Sequence, residues 1–101
     1  MPYIPPEDRD AYDEAIQTLV EDFFHAGSDW KGHMNYVVSS IIAGIIEENG
    51  GPRYSLLNDI IGVLECIKME CYRRALSPYE DLKIEENGDV YSSDDSEESD
   101  D

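Results

Sequence analysis

The chain has 101 residues, with 24 Asp and Glu against 7 Lys and Arg, a formal net charge of −17. A chain of this length reads as one domain whose folding buries roughly 60–65% of its unfolded surface, so its core is modest. Such an acidic balance repels phosphate backbones and excludes ordinary nucleic-acid binding, while favouring basic partners. Six of the acids fall in Ser92–Asp101, "SSDDSEESDD", yet the remainder of the chain is still strongly acidic. The expected organisation is a helical domain over residues 1–91 and a disordered acidic tail over 92–101.

The N-terminal "MPYIPPEDRD" has neither a basic region nor an apolar run, so no signal peptide is expected there. Helix one begins at Pro5 or Pro6, since a first-turn proline gives up an N–H that would be unpaired anyway. Glu7, Asp8 and Asp10 follow where the helix dipole favours negative charge. Tyr12, Ala15, Ile16, Leu19, Val20 and Phe23 recur at three- and four-residue steps and form one apolar stripe. Asp10, Asp13, Glu14, Gln17 and Glu21 occupy the other side. The helix should end near Ala26–Gly27, with Gly27 as the C-terminal cap.

"SDWKGH", residues 28–33, reads as a connector. Helix two then runs from about His33 to Glu48, and its middle, Val37–Ile46, is apolar on nearly every side. A helix apolar all round is buried on more than one side. Helix two must therefore be central, or must also face a second subunit. Its longest apolar block, "IIAGII" at 41–46, is too short to cross a bilayer. "NGGP", residues 49–52, ends it.

Helix three is expected from Tyr54 or Ser55, with Ser55 as N-cap, to Leu76. Leu57, Ile60, Ile61, Leu64, Ile67, Cys71 and Ala75 form its stripe. Ser77–Pro78 should end it, because a residue before proline resists the helical basin. A short helix from Pro78 to about Glu86 follows, then a turn at "ENGD" with Asn87 or Gly88 at positive φ. Pairing of Val90 and Tyr91 with Tyr3 and Ile4 as a small two-stranded patch is a further possibility. The architecture expected is all-α: a three-helix antiparallel bundle with a short C-terminal helix. The excess apolar surface of helix two points to a homo-oligomer.

The blocks "MPYI…EDRD", "MNYV", "PRYSLLNDIIGVLECIKMECYRR" and "SPYEDLKIEENGDVY" occur in this order. Together they resemble a family of small uncharacterised phage and prokaryotic proteins across most of residues 1–91. Its members open with Met-Pro-Tyr-Ile, carry a Gly-Asp-x-Asn-Tyr element and close on Pro-Tyr-Glu-Asp…Glu-Asn-Gly-Asp-Val. Here the middle element departs from that pattern, with His33 where an acid is usual. The resemblance supports the fold boundaries and implies no activity. If it extends to the phage setting, the protein works in the host cytoplasm.

Candidate chemistry is sparse. Asn35 and Ser39 share one helical face, and Tyr36 and Ser40 another. That pattern fits either a polar notch for a small ligand or locally satisfied side chains. Gly62, in a line with Asn58 and Glu65, costs about 1 kcal/mol against alanine in a helix interior. Close approach of another helix, with Gly44 as the opposite wall, would offset that cost. Glu65 would then sit at a helix-packing or dimer seam; the competing reading is a catalytic carboxylate. One acid without a second group at matched spacing defines no reaction. His25 and His33 are eight apart with no further ligands, so no metal and no cofactor are expected. Cys66 and Cys71, five apart on one helix, diverge and should be free thiols in a reducing cytoplasm.

The densest chemistry is "YRRALSPYEDLK". One reading is a clasp, in which Arg73 or Arg74 holds Glu80 or Asp81, with Lys83 nearby. Tyr79, Leu82 and Ile84 then fold back onto helix three. The other is an anion pocket, in which Arg73, Arg74 and Tyr79, with Asn35 and Tyr36, hold a phosphate or carboxylate. The function expected is that of a non-enzymatic interaction protein acting through an oligomeric body and an acidic surface. The alternatives are binding or sequestering of a nucleotide-like anion, and mimicry of nucleic acid toward a basic host protein. No membrane partner is expected. The charge balance also makes a direct prediction: raising ionic strength from low to physiological screens self-repulsion and should raise the melting temperature. A flat or falling melting point in a salt series would refute it.

Overall fold

A computed structural model describes residues 2–91. Its helices are α1 (Pro6–His25), α2 (Trp30–Glu48), α3 (Tyr54–Cys71) and α4 (Ser77–Asn87). A 3₁₀ turn (Gly27–Asp29) precedes α2, and a π-helical segment (Tyr72–Leu76) lies between α3 and α4. The described residues contain no strand, so the proposed pairing of Val90 with Tyr3 does not form; Val90 is 90% exposed. The expected tail, 92–101, lies outside the described residues. The chain divides into two compact units, the first ending at Glu65 and the second starting at Cys66.

In the first unit, α1 starts as its composition dictates. Pro5 supplies the carbonyl that accepts from Asp8 N–H at 2.9 Å, and Glu7 and Asp8 occupy the first turn. Arg9 reaches back with Nε to the Ile4 carbonyl at 2.8 Å, which ties the N-terminal segment to the helix. At the other end Ala26 N–H donates to the Asp22 and Phe23 carbonyls. Gly27 then takes φ 65°, a left-handed conformation that a side chain resists. α1 and α2 pack against each other.

The connector read at 28–33 is mostly helix. Asp29 N–H donates to the Ala26 carbonyl, and α2 is already under way at Trp30, so Lys31, Gly32 and His33 fall in its first turn. Gly32 looks like a breaker in sequence, but its cost of about 1 kcal/mol is small enough for a continuing helix to absorb. α2 ends in a Schellman arrangement: Gly51 N–H donates to the Ile46 carbonyl at 3.0 Å and Gly50 N–H to that of Glu47 at 3.1 Å. Asn49 Nδ2 donates to the Ile45 carbonyl at 2.8 Å, and Arg53 donates to the Asn49 carbonyl. α3 begins two residues earlier than a Ser55 cap requires. Leu57 N–H donates to the Arg53 carbonyl at 2.9 Å, which places Ser55 inside the first turn.

In the second unit the expected helix end at Ser77–Pro78 does not occur. Cys71, Leu76 and Ser77 all keep right-handed helical dihedrals, and Ser77 N–H donates to the Tyr72 carbonyl, five residues back. A proline inside an α-helix clashes with the carbonyl four residues before it and cannot donate. The wider π turn opens the winding just ahead of Pro78, so the helical path continues through it. α4 closes at Gly88, φ 91°, and Tyr91 N–H donates to Asp89 Oδ1 at 2.9 Å.

None of the described residues is buried. Leu19, Phe23, Val37, Val38, Ile42, Ile46, Leu56, Ile60 and Leu64 are half-buried. Ile16, Ile41, Ile61 and Ile67 each keep more than half of their surface exposed. A fully buried isoleucine stabilises by about 1.5–3 kcal/mol, so each of these forfeits much of that. Gly50 offers a local check on the fold. Its φ of 88° penalises any side chain, so Gly50→Ala should destabilise by about 1–2 kcal/mol in thermal unfolding. An unchanged melting point would contradict the Schellman end of α2.

Candidate functional site

The residues singled out in the sequence fall into both units. In the first, Asn35 and Tyr36 lie in the second turn of α2. Ser39 Oγ donates to Asn35 Oδ1 at 3.3 Å along the helix, so these two polar groups satisfy each other in part. Tyr36 is 72% exposed. A Cβ built at Gly44 meets nothing within 4 Å among the described residues. The same holds for Gly62. The close approach expected at these glycines is therefore not made among the described residues. Glu65 is exposed on α3.

In the second unit Arg73 turns toward Glu70, one turn back. Its Nη2 donates to Glu70 Oε2 at 2.7 Å and its Nε to Oε1 at 3.1 Å, a two-pronged pairing in which the Glu70 side chain is only 19% exposed. Arg74 is exposed and forms no salt bridge among the described residues. Lys83 donates to Glu86 at 3.2 Å, and its ammonium sits 5.6 Å from the centre of the Tyr79 ring, one turn before it. Glu80 and Asp81 are exposed on α4.

The fold-back imagined for Tyr79, Leu82 and Ile84 requires correction. They remain 54%, 57% and 41% exposed, because the helix runs through Ser77–Pro78 and the chain does not reverse there. Sequence reading missed the π segment, which carries both arginines. Its one available signal was a proline following a strongly helical stretch. The Tyr79–Lys83 contact was legible as a four-residue helical spacing.

Among the described residues, no group of three or more His, Cys, Asp or Glu side chains is placed to hold a metal ion. His25 donates from Nδ1 to the Glu21 carbonyl at 2.9 Å and so caps the end of α1. Its ring lies edge-on to Phe24, 5.7 Å between centroids. Both cysteines are free and exposed. Two open apolar grooves lie on the first unit. One is lined by Val20, Phe23, Phe24, Gly27 and Trp30. The other includes Tyr3, Ile4, Arg9, Tyr12 and Ile16. No helix of the described residues is long and apolar enough to cross a membrane.

The described residues are thus all-helical, and both grooves are open to solvent. Residues 1–90 match the family described as "Domain of unknown function (DUF6899)", and the chain belongs to that family. Neither the curated proteins nor the solved structures give a match.

The Arg73–Glu70 pair tests how much a two-pronged surface ion pair contributes. The Arg73 side chain is 66% exposed, so screening leaves little net energy. Glu70→Gln should change unfolding free energy by no more than about 1 kcal/mol in a denaturant titration. A larger loss would mean that Glu70 anchors more than one helical turn.

Proposed function

We propose that the protein is a non-enzymatic interaction protein whose helical body is completed by self-association and whose acidic surface meets a basic partner. The observation that carries this reading is the absence of any buried side chain among the described residues, in a chain rich in isoleucine, leucine and aromatic groups. A lone chain with that surface gains too little from burial to offset the entropy of ordering its helices. On this reading a helical bundle of antiparallel arrangement forms around shared apolar faces. The carboxylates that outnumber the bases by 17 stay in solvent. Acids along α1 (Asp10, Asp13, Glu14, Glu21 and Asp22) are exposed, as a surface for a basic protein requires. The similarity to small phage proteins, read from the ordered blocks, fits an accessory or host-modulating role of this kind.

A second reading has one observation in its favour. The π segment coincides with Arg73 and Arg74, and such turns are frequent at functional sites. Arg74 and Tyr79 would then contribute to a site for a nucleotide-like anion. A melting shift on adding phosphate or nucleotide, lost in Arg74→Ala, would favour that reading.

The main reading is tested by concentration. If folding and association are linked, the melting temperature rises with protein concentration, and sedimentation equilibrium gives a mass at least twice that of the chain. A concentration-independent melt at monomer mass would refute it.

A further inference from the structure

The exposed apolar surface is spread over several helices, but one of them differs in charge. Between Asp29 and Glu47 the chain has no Asp or Glu, and Lys31 is the only formal charge. This carboxylate-free run of 17 residues, in a protein of net charge −17, makes up nearly all of α2. The apolar stripes of α1 and α3 are flanked by acids at Asp13, Glu14 and Glu21, and at Asp59, Glu65 and Glu70. Two copies of so acidic a chain meet at least electrostatic cost along α2, because like charges brought together within a few ångströms repel and are poorly screened once solvent is excluded.

The sequence of α2 also matches itself when reversed. Met34, Val38, Ile41 and Ile45 recur at four- and three-residue steps and so lie on one face. Met34, Ile41 and Ile45 are 47%, 53% and 41% exposed, and Val38 is half-buried. Set two such helices antiparallel with the two-fold axis between Ser39 and Ser40. Met34 then stands level with Ile45, Val38 with Ile41, and Val37 with Ile42. At the ends, Lys31 comes level with Glu48, the first turn's base against the last turn's acid. A two-fold interface must be self-complementary in this sense, residue i meeting j while j meets i. Trp30, 44% exposed, extends the seam, and Gly44 beside it leaves room for a second backbone, since nothing lies within 4 Å of its Cβ position.

We infer that α2 is a homodimerisation helix, pairing antiparallel with α2 of a second copy in the register Met34–Ile45 and Lys31–Glu48. This rests on the self-association proposed above and names its seam. The register makes the geometry testable. At 1.5 Å per residue, Lys31 and Glu48 of one chain are about 25 Å apart, so a zero-length bond between them can only join two chains. Likewise Met34 and its counterpart in the other copy are offset by about 16 Å, beyond the roughly 4.4–6.8 Å between Cα atoms that a disulfide spans.

Two experiments decide it, after sedimentation has established that the native protein is more than a monomer. Carbodiimide treatment of the native protein, mixed from ¹⁴N- and ¹⁵N-labelled chains, should give a Lys31–Glu48 cross-link of mixed isotope content. In a Cys66→Ser/Cys71→Ser background, Met34→Cys and Ile45→Cys should form a disulfide when mixed, and neither should do so alone. Ile41→Asp should weaken dimerisation by roughly 30-fold or more, the scale of a central interface position. A protein that sediments as a monomer removes the self-association reading itself. An oligomer without the Lys31–Glu48 link, or a disulfide formed by Met34→Cys alone, leaves that reading standing and overturns the α2 register.

Discussion

Everything in this molecule turns on a mismatch between apolar surface and the means to hide it. Helices form readily here, since the prolines, glycines and caps that start and stop them are in place. Yet helix formation alone stabilises little, and most of a helix's stability comes from packing one face against something else. In this chain the packing is incomplete: Leu19, Phe23 and Val38 reach half-burial, and no described side chain goes further. The same faces that a second molecule would cover are carried on a body whose charge resists company.

Much of the fold was legible in the sequence. The α1 start at the prolines, its end at Gly27, the glycine-rich stop after α2 and the turn at Gly88 all follow from backbone chemistry that depends only on local residues. Two misreadings came from treating breakers as decisive. Gly32 lies inside α2, and Ser77–Pro78 lies inside a continuing helical path. The penalty at Gly32 is weaker than the continuation on both sides, and at Pro78 the π turn ahead of the ring accommodates it, outcomes that propensity alone does not rank. The half-burial of α2 was also beyond local reasoning. An all-apolar pattern says that a helix wants cover and does not say which molecule provides it.

The candidate site was less legible than the fold. Arg73 has Glu70 three residues before it and Glu80 seven after, and sequence does not choose between them. Helical geometry does, because side chains three apart on one turn are neighbours, whereas reaching Glu80 asked for a reversal at Pro78 that the chain does not make. Tyr79 and Lys83, by contrast, needed only the helix itself to meet. Polar contacts within one helix are readable from spacing only to within a choice of neighbours, since Glu70 lies one turn from both Arg73 and Arg74 and pairs with Arg73, and those that depend on a bend are only as good as the bend.

The π segment has a consequence for how this stretch can change. Its surplus residue and Pro78 compensate for one another. Removing one residue from 72–76 would restore regular winding, but would drive the pyrrolidine ring into the carbonyl four positions earlier. Replacing the proline alone would leave a wide turn with nothing to accommodate. Shortening 72–76 is therefore the costlier change, because it restores the clash, whereas loss of the proline removes it.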